Sequence, residues 1–404
     1  MKLWLRTVAT AVAFALAGGA HLSALPQFSL LTGNKCISCH VVSQGGGLRS
    51  DLGAYSRNEV SLISPESVGL GWLYELDPKQ NTLLDGKITF GLDFRAQTAR
   101  SHKTEDAPRK VFPMQMALYA MAAPTDWLSA EGTVNISGQL FGLKNAVYYP
   151  SQQPWSASVI LQPGLTMPSL RIGKFRPNIG IRYDDHTKFI WQAPSKDGTN
   201  FPSAYIFAPL YAEYGAEITY DALHDFTFSA GVFSSKNLSE IRIDATDNTG
   251  NITAAPMISG GNAPSLAARA VYWPRFFGNE VNTFIGGSYF MNDDFSMINA
   301  FVGVGVNDKI SLTADYAHSD KRNLRVTATT SLEAMYQIME PLLLCVRAEA
   351  GTTTIGGKEE YTKQLVLGVQ AFVLPYIELR PEYRIMDADN FRSNRWAAQL
   401  HIFY

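Results

Sequence analysis

From position 87 onward the hydrophobic pattern of the chain has a period of two. In "ITFGLDFRAQ", Ile88, Phe90, Leu92, Phe94 and Ala96 alternate with Thr89, Asp93, Arg95 and Gln97. "LSAEGTVNIS" sets Leu128, Ala130, Val134 and Ile136 against Ser129, Glu131, Thr133 and Asn135. "YIELRPEYRI" sets Ile377, Leu379, Tyr383 and Ile385 against Glu378, Arg380, Glu382 and Arg384. Successive side chains of a strand point to opposite faces, so each stretch predicts a strand with one apolar and one polar face.

Length, number and spacing decide what the strands build. Many run near ten residues, the length that crosses a membrane at a tilt. About sixteen can be counted, an even number as in bacterial outer-membrane barrels. Short links at 124–126, 221–225, 306–309, 339–341 and 374–376 are interleaved with longer ones, such as 180–207 and 234–264. The chain ends in "RWAAQLHIFY", with Trp396, Ala398, Leu400, Ile402 and Tyr404 on the lipid-facing side and Arg395, Gln399 and His401 inward. A soluble β-sandwich explains alternation but not its length and persistence. The expected fold is all-β, an about sixteen-stranded transmembrane outer-membrane β-barrel over residues 87–404. An even strand count places the N-terminal segment and Tyr404 on the same, periplasmic side, and makes 180–207 and 234–264 external loops.

The first twenty residues agree with that destination. Lys2 and Arg6 precede an uncharged apolar stretch, 7–17, then Gly18, Gly19 and Ala20. That is the layout of an export signal, residues 1–20, cleaved before His21; the stretch is too short for a membrane anchor. Charged residues make up 17% of the chain and aromatics 12%, poor in charge for a soluble domain. The net charge of -2 argues against a nucleic-acid partner. Three cysteines are no disulfide framework.

Two of those cysteines carry the chemistry. "CISCH" places Cys36, Cys39 and His40 in the Cys-x-x-Cys-His spacing that attaches one haem c covalently, with the histidine ligating the iron. A thioredoxin-like redox pair would need a strand and helix start around it, and zinc would need a fourth ligand, whereas residues 41–86 contain no Cys or His. Residues 21–86 form a monohaem cytochrome c segment too small to fold robustly alone. It is expected to plug the barrel, inside or across its mouth.

"ALPQFSLLTGNKCISCH" followed directly by a barrel resembles the fused monohaem cytochrome–porins of the bacterial outer membrane, through Pro26, Phe28, Thr32, Gly33, Cys36, Cys39 and His40. The best-known members are iron oxidases of iron-oxidising bacteria. The resemblance implies an outer-membrane electron conduit, a possible ferrous-iron oxidase, between extracellular ferrous iron and a periplasmic c-type cytochrome or other soluble electron carrier. Two other functions stay open: electron export to an external acceptor, and a diffusion porin with a structural or sensory haem plug.

Further residues are candidates by chemistry. "IRYDDHTKF" puts Asp184, Asp185 and His186 in a long loop, a donor set suited to ferrous iron. Asp93, Glu131, Glu213 and Glu217 face the lumen by parity and could guide a cation. The sixth haem ligand is not evident, because residues 41–86 also lack methionine. Either His21 supplies it, or the barrel does, through the inward-facing His401, about 10 Å inside the rim by strand rise, or the inward Met297, or the position is open.

Overall fold

The computed structural model describes residues 26–42, 45–49, 60–73, 82–100, 109–136, 153–164, 166–183, 188–191, 211–221, 223, 225–246, 252–259, 263–277, 280–322, 324–388 and 391–404. The alternating stretches become sixteen antiparallel strands: β1 (Ile88–Arg100), β2 (Arg109–Thr125), β3 (Leu128–Asn135), β4 (Trp155–Leu161), β5 (Ser169–Phe175), β6 (Glu213–Tyr220), β7 (Phe226–Phe233), β8 (Ser265–Tyr272), β9 (Val281–Asn292), β10 (Phe295–Val306), β11 (Ile310–Lys321), β12 (Arg325–Met339), β13 (Leu342–Ile355), β14 (Lys358–Leu374), β15 (Ile377–Ala388) and β16 (Phe391–Phe403). Each pairs with the next, and β16 returns to β1, with His401 opposite Arg95 and Phe403 opposite Asp93. A closed barrel leaves no unpaired edge for lipid to desolvate. Short pairs at Thr82–Leu83 and Arg275–Phe276 extend the sheet at β1 and β9.

Parity sorts the side chains as expected. Ile298, Val302, Leu312, Leu332, Leu344, Leu367, Leu379 and Ile385 face outward and are exposed. Tyr383 and Trp396 form an outward cross-strand pair with ring centres 4.9 Å apart. Most of the intervening positions are polar and buried. They are joined by ion pairs such as Arg347–Glu349 (3.1 Å) and Lys321–Asp294 (3.1 Å), and by Arg384–Glu382. An apolar outside around a charged inside is the inverse of a soluble fold and suits a bilayer.

Both ends of the barrel chain, Ile88 and Phe403, lie at one end of the cylinder, here called proximal, as do the tight links after β2, β10, β12 and β14. The distal end is uneven. Its long connections all fall in the first half, whereas β9–β10, β11–β12, β13–β14 and β15–β16 turn within two or three residues. The long–short rhythm therefore holds only up to β8.

The described parts of the long distal connections turn into the barrel. Ile179, Ile181, Tyr183 and Ile190 pack against Phe233, Phe284, Phe290 and Phe301 of the wall. Gly180 N–H donates to Ser288 Oγ (2.9 Å), Arg269 Nε donates to Gly180 O (2.8 Å), and Phe189 N–H donates to Glu349 Oε1 (2.8 Å). Tyr183 meets Asp315, and Lys188 meets Glu333, on the opposite side. The segment thus reaches from β5 to β13, and burial supplies much of its cohesion. The connection after β7 behaves alike: Leu238 and Met257 are buried, and Lys321 Nζ donates to Met257 O (2.9 Å). The expectation of external loops needs that correction.

The proximal lumen holds helix α1 (Pro26–Thr32) and the single turn α2 (Cys36–Cys39). Leu30 packs with Phe284 and Phe301, while Phe28 and Leu31 pack with Met335, Leu343, Phe372 and Phe403. Asn282 Nδ2 donates to Leu30 O (2.9 Å) and Gln27 Nε2 donates to Glu333 Oε2 (2.7 Å). Residues 60–73 lie at the proximal rim, with Leu62 N–H donating to Phe372 O (2.8 Å).

Candidate haem-binding cavity

Cys36, Cys39 and His40 sit on α2 and its C-terminal residue. His40 N–H closes the turn on Cys36 O (3.0 Å), and His40 bridges to Arg49 as a short antiparallel pair. Between them Gly45, Gly46 and Gly47 have φ of 84°, 72° and 68°, a left-handed run open to glycine. The run lets the backbone fold back over the motif. A Cβ at Gly45 would lie 3.5 Å from Cys36 Cβ and 3.8 Å from His40 Cδ2, and one at Gly46 would collide with Arg182.

All three motif residues face one cavity, closed on its other side by β1, β14, β15 and β16. Leu92, Tyr119, Phe372 and Phe403 give it apolar and aromatic surfaces; Arg49, Arg95, Arg182 and Arg380 bring positive charge to its margin. Cys36 and Cys39 are not joined to each other. Desolvation inside the lumen pushes the Cys36 thiol up to about 11 against the pull of Arg269, and raises Cys39 against that of Arg49. Two thiols and an imidazole on one turn, facing an apolar cavity rimmed by arginines, fit covalent attachment of a porphyrin with acidic edge groups.

His401 lines the same cavity. Its Nδ1 is 2.9 Å from Glu378 Oε2, its direct cross-strand neighbour, and its Nε2 is 3.3 Å from Asp93 Oδ2. Asp93 is held in turn by Arg95, with Nε and Nη2 at 3.0 Å. Met297 is inward and buried, but it belongs to the cluster with Phe290 and Phe295 near the distal turn and does not line this cavity. It is therefore removed as a ligand. His21, Asp184, Asp185 and His186 lie outside the described residues; their neighbours Tyr183 and Lys188 are buried inside the barrel. Among the described residues no three His, Cys, Asp or Glu side chains form a metal-holding group.

The lumenal carboxylates are already engaged. Glu131 pairs with Arg171, and Glu213 accepts from Tyr211 Oη (3.0 Å), Ser234 Oγ (2.7 Å) and Leu238 N–H (2.8 Å). Glu217 accepts from Asn178 N–H (3.0 Å). Glu213 and Glu217 anchor infolded connections rather than standing open to a passing cation. The sequence reading missed Arg182, whose contact with Gly46 joins two distant parts of the chain. It also missed Arg49, which lies 4.0 Å over the Phe403 ring.

No protein-family profile and no curated protein matches the sequence. Solved structures do resemble the fold. OprB of Pseudomonas putida, in its high-pH structure, aligns over 87% of this chain and 100% of its own at 13% identity and a TM-score of 0.52. The outer membrane channel DcaP of Acinetobacter baumannii aligns over 78% and 97% at 10% identity and 0.51. An anion-selective porin from Comamonas acidovorans covers 78% and 98% at 10% identity and 0.50. The chain therefore has the barrel fold of outer-membrane porins.

Proposed function

We propose that this chain is an outer-membrane electron conduit carrying one covalent haem c, bound through Cys36 and Cys39 with His40 as iron ligand. Electrons pass from extracellular ferrous iron to a periplasmic c-type cytochrome or similar carrier. The observation that carries the reading is the cavity where the Cys-x-x-Cys-His turn meets the barrel wall. When bound there, haem c supplies a one-electron carrier fixed to the chain.

The protein's part is positioning and insulation. The Gly45–Gly47 run folds the backbone back over the motif, and Arg49, Arg95, Arg182 and Arg380 offset negative charge at the cavity margin. The infolded residues 176–183 and 188–191, together with α1, place buried side chains across the lumen, which favours a conduit over an open pore. The outward apolar belt supports placement in the outer membrane, with the proximal end periplasmic, where a soluble carrier would dock. The resemblance to cytochrome–porins supports ferrous iron as the donor and an inward direction, so that an insoluble ferric product stays outside.

A second reading is favoured by the fold: the structural neighbours include a channel and an anion-selective porin, so the barrel could pass solutes with the N-terminal segment as a structural plug. Stopped-flow mixing of oxidised, haem-loaded protein with ferrous salts separates the two. Rapid reduction with little conductance in planar bilayers supports the conduit. A well-conducting pore that ferrous iron leaves oxidised supports the porin.

A further inference from the structure

We propose that His401, on the last strand of the barrel, is the sixth ligand of the haem iron, so that the wall completes a coordination the N-terminal segment leaves unfinished. This rests on the haem reading above.

The segment itself is short of ligands: residues 41–86 contain no His, Met or Cys. The cavity that receives Cys36, Cys39 and His40 is lined from the other side by His401. Lys35, another nitrogen at the cavity, is tied outward to Asp221 Oδ1 (3.0 Å) and to Leu223 O (2.9 Å). No methionine lines the cavity among the described residues.

The surroundings of His401 are those of a ligating imidazole. Glu378 Oε2 lies 2.9 Å from Nδ1; with the ring proton held there, Nε2 has a lone pair to offer iron. A carboxylate on the far ring nitrogen also orients a metal-bound histidine and raises its basicity. Nε2 faces Asp93 at 3.3 Å, but Asp93 keeps two hydrogen bonds from Arg95 whether or not Nε2 stays. Nε2 can therefore turn to iron without stranding a buried carboxylate. The His401 ring leans on Phe403 at 5.0 Å, and Arg49 of the N-terminal segment covers that same ring at 4.0 Å. Segment and wall are thus pinned together beside the proposed ligand, and the iron's sixth position reports whether the segment is docked.

The test uses full-length protein in detergent. Haem staining on denaturing gels shows attachment, heat-modifiable mobility shows a folded barrel, and optical and electron paramagnetic resonance spectra give the spin state. The wild type is expected to be low-spin. His401→Ala should be high-spin and return to low-spin on adding imidazole. His401→Met, of similar bulk, should give an altered low-spin spectrum, and His318→Ala, on the lipid-facing side, the wild-type one. A haem-loaded, folded His401→Ala or His401→Met protein with the wild-type spectrum overturns the proposal, as does a high-spin wild type. A wild type without covalent haem overturns the haem reading itself.

Discussion

Gly305→Ala should unseat the N-terminal helix while leaving the barrel closed. Gly305 faces inward on β10, with the backbone of Leu30 pressed against it. An added Cβ would lie 2.9 Å from Leu30 Cβ and closer still to the Leu30 carbonyl carbon and oxygen. Ordinary contact begins at 3.4 Å, and backbone atoms cannot rotate away. β10 is hydrogen-bonded on both sides to β9 and β11, so the helix must yield. It then loses the Asn282 bond to Leu30 O, about 1 kcal/mol. It also loses part of the burial of Leu30, whose full worth is about 1.5–3 kcal/mol. A net loss of about 2 kcal/mol lowers the docked-to-undocked ratio roughly 30-fold. Limited proteolysis reads that ratio when opening is fast relative to cleavage. Cleavage ahead of β1 should accelerate about 30-fold in Gly305→Ala, with heat-modifiable mobility of the barrel unchanged. Gly132→Ala, where the new Cβ meets only Ser156 O at 3.7 Å, should cleave at the wild-type rate. If Gly305→Ala also cleaves at the wild-type rate, Leu30 is not seated on β10.

Other perturbations follow from the same structure. Glu333 receives Lys188, Gln27 and Cys345; Glu333→Ala strands Lys188, and breaking a buried pair costs about 3–5 kcal/mol. Hydrogen exchange at Phe189 and its neighbours should quicken, and unchanged exchange would contradict the anchoring role. Val302→Arg, outward at mid-strand on β10, should cost about 2–4 kcal/mol of folding stability in lipid vesicles, read by denaturant titration; a neutral result would contradict the lipid-facing assignment. The combined Asp184→Ala, Asp185→Ala and His186→Ala variant should raise KM for ferrous iron without changing the haem spectrum. An unchanged KM removes these three residues as candidates for a ferrous-iron site.

Much of the barrel was legible because a closed sheet has only two environments. Parity along "YIELRPEYRI" alone sends Glu378, Arg380, Glu382 and Arg384 inward, and the structure agrees at each position. The fate of "PNIGIRY" was not legible. Ile179, Ile181 and Tyr183 alternate as a strand would, yet they lie outside the assigned strands, and their burial comes from the lumen. The cavity shows a second limit. Parity put His401 and Asp93 inward, but only the register of β16 against β1 and β15 sets them with Glu378 around one imidazole. The approach of Arg182 to Gly46 depends on where an irregular connection ends, and no local pattern encodes that.

The proposed conduit moves electrons, rather than iron, across the barrel. It is tested by haem-loaded protein in liposomes that enclose an oxidised c-type cytochrome in one set and a ferrous-specific chromogenic chelator in another, with ferrous salts added outside. The enclosed cytochrome should be reduced, though not in the Cys36→Ser, Cys39→Ser variant, while the enclosed chelator stays colourless. Coloured chelator, with equal cytochrome reduction in the wild type and the cysteine variant, would show iron diffusing through a pore and contradict the conduit reading.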